Sequence, residues 1–203
     1  MKKLPFLALF ALLLTAMTAF RPTFGTGYGI GDTASDFNLK NVDGTQHSLA
    51  SIANAKGYIV VFTCNACPYA QAYEDRIIAL SKKYAPLGFP VVAINPNDKN
   101  VQPADSFDKM KERAKAKNYP FLYLYDESQE VALAYGATRT PHVFVLDGQR
   151  TVRYIGAIDD NSEDPSAVSE AYVENAVDAL LAGKEVPVKE TKAIGCSIKW
   201  KRF

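Results

Sequence analysis

The chain has 203 residues, 48% of them hydrophobic, and its 23 lysines and arginines nearly cancel its 22 aspartates and glutamates. That length and apolar content suffice for one well-cored domain of ordinary size. The charge balance gives no electrostatic reason to expect nucleic acid or an anionic membrane surface as partner.

Residues 1–19 read as a secretory signal peptide. Lys2 and Lys3 form a basic n-region, Leu4 to Leu14 an apolar h-region, and small residues follow at Ala16 and Ala19. An uncleaved membrane anchor is the rival, with an apolar stretch near the lower limit for spanning a bilayer. Cleavage would leave a nearly neutral exported chain of periplasmic or other extracytoplasmic location. Residues 21–35 are glycine-rich and aperiodic, as suits an extended entry segment.

Two short strand-like pieces follow, Phe37–Lys40 and Gln46–Leu49, joined by a turn at Asp43 and Gly44. Tyr58–Phe62 (YIVVF) is a continuous apolar run of the kind buried on both faces of a sheet. After it, Ala70, Tyr73, Ile77, Leu80 and Tyr84 recur at helical spacing, and Pro86 with Gly88 ends the stripe. The alternation repeats. Pro90–Ile94 predicts a second strand, 105–117 a charged surface helix starting near Asp105 or Ser106, and Phe121–Tyr125 a third strand. A short helix over about Ser128–Tyr135 precedes a hairpin, His142–Leu146 and Thr151–Ile155 around Asp147 and Gly148. A closing helix is predicted over Pro165–Leu181, then a polar tail through Cys196 and Trp200. This order describes one α/β domain with a mixed central sheet flanked by helices.

Cys64 and Cys67 fall where the first buried run gives way to the helical stripe. Unpaired N–H groups and the dipole favour a thiolate at a helix start, so Cys64 is expected to titrate below the free value of about 8.5. Cys67, one turn deeper, is placed to resolve a mixed disulfide formed by Cys64. Half of a zinc site is the alternative, but a closed site needs four ligands, and only Cys196, His47 and His142 remain. An inert structural disulfide is the other, and an accessible strand-to-helix turn is a poor place to hide one.

The strand, the C-x-x-C at a helix start and the later Arg139-Thr140-Pro141 before a strand together resemble the thioredoxin-like fold. The resemblance covers roughly residues 31–183. It implies a cis proline at Pro141 facing the dithiol, with the Thr140 backbone free to pair with an extended substrate. The opening GDTASDFNLKNVDGTQHSL resembles the N-terminal hairpin of the alkyl hydroperoxide reductase and thiol-specific antioxidant branch. FTCNACPYAQAYEDR and ETKAIGCSIKW resemble a peroxiredoxin-like subgroup of it. The implied organisation is a signal peptide over 1–19, a thioredoxin-like domain over 29–183 and a tail over 184–203.

The departures from the family are specific. Thr63 stands where thioredoxin has Trp, and Asn65-Ala66 replace Gly-Pro. Thioredoxin's buried Asp corresponds to Tyr58, leaving Glu74 as the nearest accessory carboxylate in sequence. The peroxidase motif P-x-x-x-T-x-x-C is absent, with Val61 and Gly57 preceding Cys64, and Cys64 and Val60 preceding Cys67, at its positions.

Cys196 follows a glycine that would permit the tail to bend back as a third thiol. Packing beside Trp200 is the simpler expectation.

The resulting expectation is an exported thiol–disulfide oxidoreductase, antioxidant in the broad sense of its branch. Cys64 is its nucleophile, Cys67 its resolving thiol, and Thr140 and Pro141 its substrate-facing loop. Its cofactor is nothing beyond the redox-active disulfide Cys64–Cys67. Its partners are protein thiols or disulfides and a redox partner protein, with neither metal nor nucleic acid, and the chain is expected to be a monomer. A peroxiredoxin-like thiol peroxidase is the runner-up. A copper chaperone using His142 stands further back.

Overall fold

The computed structural model describes residues 27–202. The signal peptide expected over 1–19 lies outside the described residues. No helix among the described residues is long and apolar enough to cross a membrane.

A hairpin of β1 (Leu39–Asn41) and β2 (Gln46–His47) leads into the buried strand β3 (Gly57–Phe62) and the long helix α1 (Pro68–Tyr84). β4 (Val91–Asn95), α2 (Phe107–Lys117), β5 (Leu122–Tyr125) and the short α3 (Glu130–Tyr135) follow. Then come β6 (Arg139–Thr140), the hairpin β7 (His142–Asp147) and β8 (Val152–Gly156), α4 (Tyr172–Leu181) and β9 (Cys196–Ser197). Seven strands make one sheet in the order β2-β1-β5-β4-β3-β7-β8, and β6 with β9 forms a separate two-stranded ladder. β3, β4 and β5 are parallel, and β7 returns antiparallel beside β3.

Every residue of β3 and β4 is buried, as their unbroken apolar runs require. Alternate side chains feed two cores. Ile59 and Val61 meet Tyr73, Ile77, Leu80 and Tyr84 of α1 and Val173 and Val177 of α4. Val60 and Phe62 face the other way, toward Tyr135 of α3 and Ile198 of the tail. The expected stripe of α1 is therefore its buried face.

Two expectations need correction. The closing helix starts at Tyr172, because Asp164 accepts from Ser166 N–H (2.8 Å) and caps a single 3-10 turn, Pro165–Ala167, before the chain extends. The tail is not merely polar, since Ile198 is a core residue.

The register between β3 and β7 locates the site. Phe62 is paired with His142, so two residues beyond each, Cys64 and Thr140 meet across the C-terminal edge of the parallel strands. That edge is where open α/β sheets place their chemistry.

Candidate active site

Pro68 is the first residue of α1, a position where its missing N–H costs nothing. Cys67, not Cys64, is consequently the N-cap. Cys64 lies in the preceding loop, after Thr63 N–H has extended the β3 ladder to the Ile94 carbonyl at 2.8 Å. Both cysteines are buried, 5% and 4% exposed, and both face Thr140. Cys64 Sγ lies 3.2 Å from Thr140 Oγ1, and the Cys67 thiol donates to the Thr140 carbonyl at 3.2 Å. Thr140 is itself fully buried, and its bond to Pro141 is cis.

The intervening loop is held by Asp105, a carboxylate that the sequence places only near the start of α2. Asp105 Oδ1 accepts from the Asn65 and Ala66 N–H groups at 2.6 and 3.2 Å, and Oδ2 from Asn97 Nδ2 at 2.7 Å. Tyr123 OH and Gln71 Nε2 bind the oxygens of Asn65 at 2.9 and 2.7 Å. An aspartate one residue before a serine N-cap is the only signal the sequence offers, and it fits an ordinary helix start equally well.

These placements reverse the expected titration order. The Cys67 thiol is pulled down by the hydrogen bond from Cys64, against burial, and then by Cys196 and the Ala70 N–H in the first turn of α1. The Cys64 thiol is pushed up by that same bond, by burial and by the negative charge of Asp105. The two thiols therefore titrate as a coupled pair, with Cys67 lowered and Cys64 raised. The direction expected for the Cys64 thiol is thus reversed, chiefly by its hydrogen bond with Cys67 and by its own burial, while the Ala70 N–H in the first turn of α1 adds to the lowering at Cys67.

Glu74 also departs from expectation. It is buried, but its carboxylate is engaged by Arg113 (2.7 Å), Lys117 (2.8 Å) and Tyr119 OH. Burial alone would raise its pKa, and these partners together hold it below the usual value. It ties α1 to α2 through these partners, and no hydrogen bond joins it to either cysteine. His142 is packed against Phe144 with ring centres 4.8 Å apart, and burial pushes its pKa down to about 4.

The tail bends back over the site. Thr140 is the ladder partner of Cys196, and Arg139 that of Ser197. The Thr140 backbone edge expected to be free is thus taken by the chain's own tail. Ile198 N–H bonds the Thr138 carbonyl, and Asn97, Asp98 and Gln129 hold the main chain at Lys199. Cys196, half-buried, packs against the Cys64–Cys67 cluster. The anchoring role in the tail falls to Ile198, which is buried in the main core.

A model described as the AhpC/TSA family matches residues 30–155. A solved structure titled as an uncharacterized conserved protein from Geobacillus kaustophilus is 40% identical, with a TM-score of 0.81 over 86% of this chain and 94% of that one. The thiol-disulfide oxidoreductase ResA of Geobacillus kaustophilus strain HTA426 is 27% identical over 155 residues, which is 71% of this chain and 83% of that protein. A structure titled as a putative thiol:disulfide interchange protein DsbE from Chlorobium tepidum shares the thioredoxin-like fold. Its TM-score is 0.57 at 21% identity, over 75% of this chain and 98% of that one.

Proposed function

Because the chain belongs to the AhpC/TSA family, we propose that it is a thiol–disulfide oxidoreductase acting on protein thiols or disulfides, with Cys64 and Cys67 as its redox pair. The carrying observation is that both sulfurs converge on Thr140, each at 3.2 Å, with Cys67 at the N-terminus of α1. A helix-stabilised thiolate beside a protonated thiol is what reversible closure to a disulfide requires. Cys67 holds the thiolate and Cys64 surrenders its proton as the S–S bond forms. In the same exchange a partner disulfide is reduced to two thiols, so the two electrons lost by the pair pass to the partner, and no dissociable cofactor takes part.

The roles expected from the sequence are exchanged in this reading, because the hydrogen bond from Cys64 and, to a smaller extent, the Cys196 contact and the Ala70 N–H favour charge on Cys67. Likeness to a relative named thiol-disulfide oxidoreductase supports the reaction class. The N-terminal pattern of basic, apolar and small residues supports export. Peroxide reduction is the weaker reading, since neither cysteine is preceded by the threonine and proline that order a peroxide in that reaction.

Incubation with an oxidant should yield a Cys64–Cys67 disulfide by peptide mapping, and the chain should catalyse insulin reduction by dithiothreitol. Rate against pH for alkylation should show Cys67 reacting below neutrality with Cys64 lagging. A chain that consumes hydroperoxide rapidly and leaves insulin intact would refute the proposal.

A further inference from the structure

Two observations around the redox pair do not fit a dithiol that meets its partners directly. Cys64 and Cys67 are both about 95% buried, and the backbone edge of Thr140 is already paired with Cys196. Cys196 is the one cysteine of the three that is partly exposed.

Close approach of the tail is also built in. A side chain at Gly195 would overlap the Thr140 carbonyl and crowd the Pro141 nitrogen, so only glycine allows β9 to lie against this loop. Arg139 Nη1 binds the Gly195 carbonyl at 2.9 Å and fixes the same segment from outside. The tail is seated rather than draped.

Resting on the thiol–disulfide reading above, we propose that Cys196 is the entry thiol of the enzyme, the sulfur through which protein partners exchange with the buried Cys64–Cys67 pair. From the oxidised pair, the Cys196 thiolate attacks Cys67 Sγ. The Cys67–Cys196 bond forms, the Cys64–Cys67 bond breaks, and Cys64 leaves as a thiolate that takes up a proton. A thiolate of a partner dithiol then attacks Cys196 Sγ, giving a mixed disulfide and releasing Cys67 as its stabilised thiolate. The second partner thiolate attacks the partner sulfur of that mixed disulfide, closing the partner disulfide and freeing Cys196 as a thiolate that regains its proton. Two electrons pass from the partner to the Cys64–Cys67 pair, and Cys196 ends as it began. The same steps run backwards reduce a partner disulfide.

The electrostatics suit this order. In the reduced chain Cys196 is pushed up to about 11 by burial, then by the hydrogen bond and charge of Cys67, while Lys199 and Arg139 pull the other way. Once Cys67 is in a disulfide its charge is gone, and the two cations act against burial alone. Cys196 is released as a nucleophile when the buried pair is oxidised.

Three variants of the full chain test the relay. Cys64→Ser, treated with diamide, should close an intramolecular Cys67–Cys196 disulfide, read as the loss of two hydrogens by intact mass and as one cross-linked peptide pair. Cys196→Ser and Gly195→Ala should still form the Cys64–Cys67 disulfide, yet each should reduce insulin about tenfold more slowly, having lost the positioned thiol. Gly195→Ala keeps all three thiols, so its loss reads position rather than chemistry. A Cys196→Ser chain that reduces insulin at the unaltered rate, or a Cys64→Ser chain that oxidises only to intermolecular dimers, would overturn the relay and leave the underlying reading intact. An unaltered chain that forms no Cys64–Cys67 disulfide and leaves insulin untouched would overturn both.

Discussion

Asp105, beneath the cysteine loop, and Glu74, in the seam between α1 and α2, are both carboxylates buried to within a few per cent, yet their charges are met in different ways. Glu74 is surrounded by cations, Arg113 and Lys117, so little of its field survives beyond the seam. Asp105 is held by neutral donors, two loop N–H groups and the Asn97 amide. Dipoles solvate a charge without cancelling it. Its negative charge accordingly still reaches Cys64 and favours the protonated thiol, whereas Glu74 is not among the leading forces on either cysteine. Depth of burial alone does not say which carboxylate tunes the chemistry. The identity of its partners does.

Breaking the Asp105 side of this contrast should have the larger effect. Asp105→Asn turns an amide NH2 toward the Asn97 amide or toward the loop N–H groups, so at least one buried donor loses its acceptor. The cost should be about 3 kcal/mol, read as a fall in the urea midpoint. In the same variant the Cys64 thiol should titrate lower, because one of the charges raising it has gone. An unchanged Cys64 alkylation profile would show that the field of Asp105 does not reach the sulfur.

Glu74→Gln supplies the control. It leaves Arg113 and Lys117 without their anion, but both are partly exposed and water takes over much of the loss, so a cost of about 1–2 kcal/mol is expected. Alkylation of the cysteines should not change with pH any differently from the unaltered chain. Glu74 is depressed in the folded state, so its stabilisation is present above its ordinary carboxylate pKa and lost as pH falls through the depressed value. The variant should therefore lose the part of acid sensitivity that lies below about pH 4.5. A shift in Cys67 reactivity would contradict the separation of the two regions.

Much of the frame behind this contrast is legible in the residues. The runs YIVVF and PVVAI have the length and β-branched content of strands buried on both faces, and they form most of β3 and β4, while the stripe Tyr73, Ile77, Leu80, Tyr84 is the buried face of α1. Periodicity reports burial of whole elements, and it does so well.

It does not report one-residue offsets or single polar partners. Whether a helix starts at Cys64 or after Cys67 turns on the cap geometry at Pro68, which leaves no trace in the apolar pattern. Glu74 sits on the buried side of its helix only because Arg113 and Lys117 arrive from a second helix. β9 is two residues long, too short to show alternation, and the main-chain ladder of Cys196 and Ser197 leaves no side-chain signature of its own. The glycine before Cys196 was the visible hint, and it pointed the right way.

A third group sharpens the comparison at the small end. His142 is buried with neither a cation nor an anion against it. The forces on it come from burial, a contact with the Phe144 ring and a long hydrogen bond from Thr138 N–H to Nδ1 at 3.4 Å. Burial therefore penalises its charged form outright and pushes its pKa down to about 4, from an ordinary value near 6.5. Between those two values the unfolded chain binds a proton that the folded chain refuses, so stability rises with pH across that interval. The contribution is fully present above about pH 6.5 and fades as pH falls toward 4. Replacing His142 with Phe removes the titrating group while keeping an aromatic ring against Phe144. The variant should match the unaltered chain at neutral pH to within about 1 kcal/mol. It should then hold its urea midpoint better between pH 6.5 and 4. If the two chains lose stability in parallel across that interval, the acid response belongs to other groups, and His142 is already protonated in the fold or exposed to water.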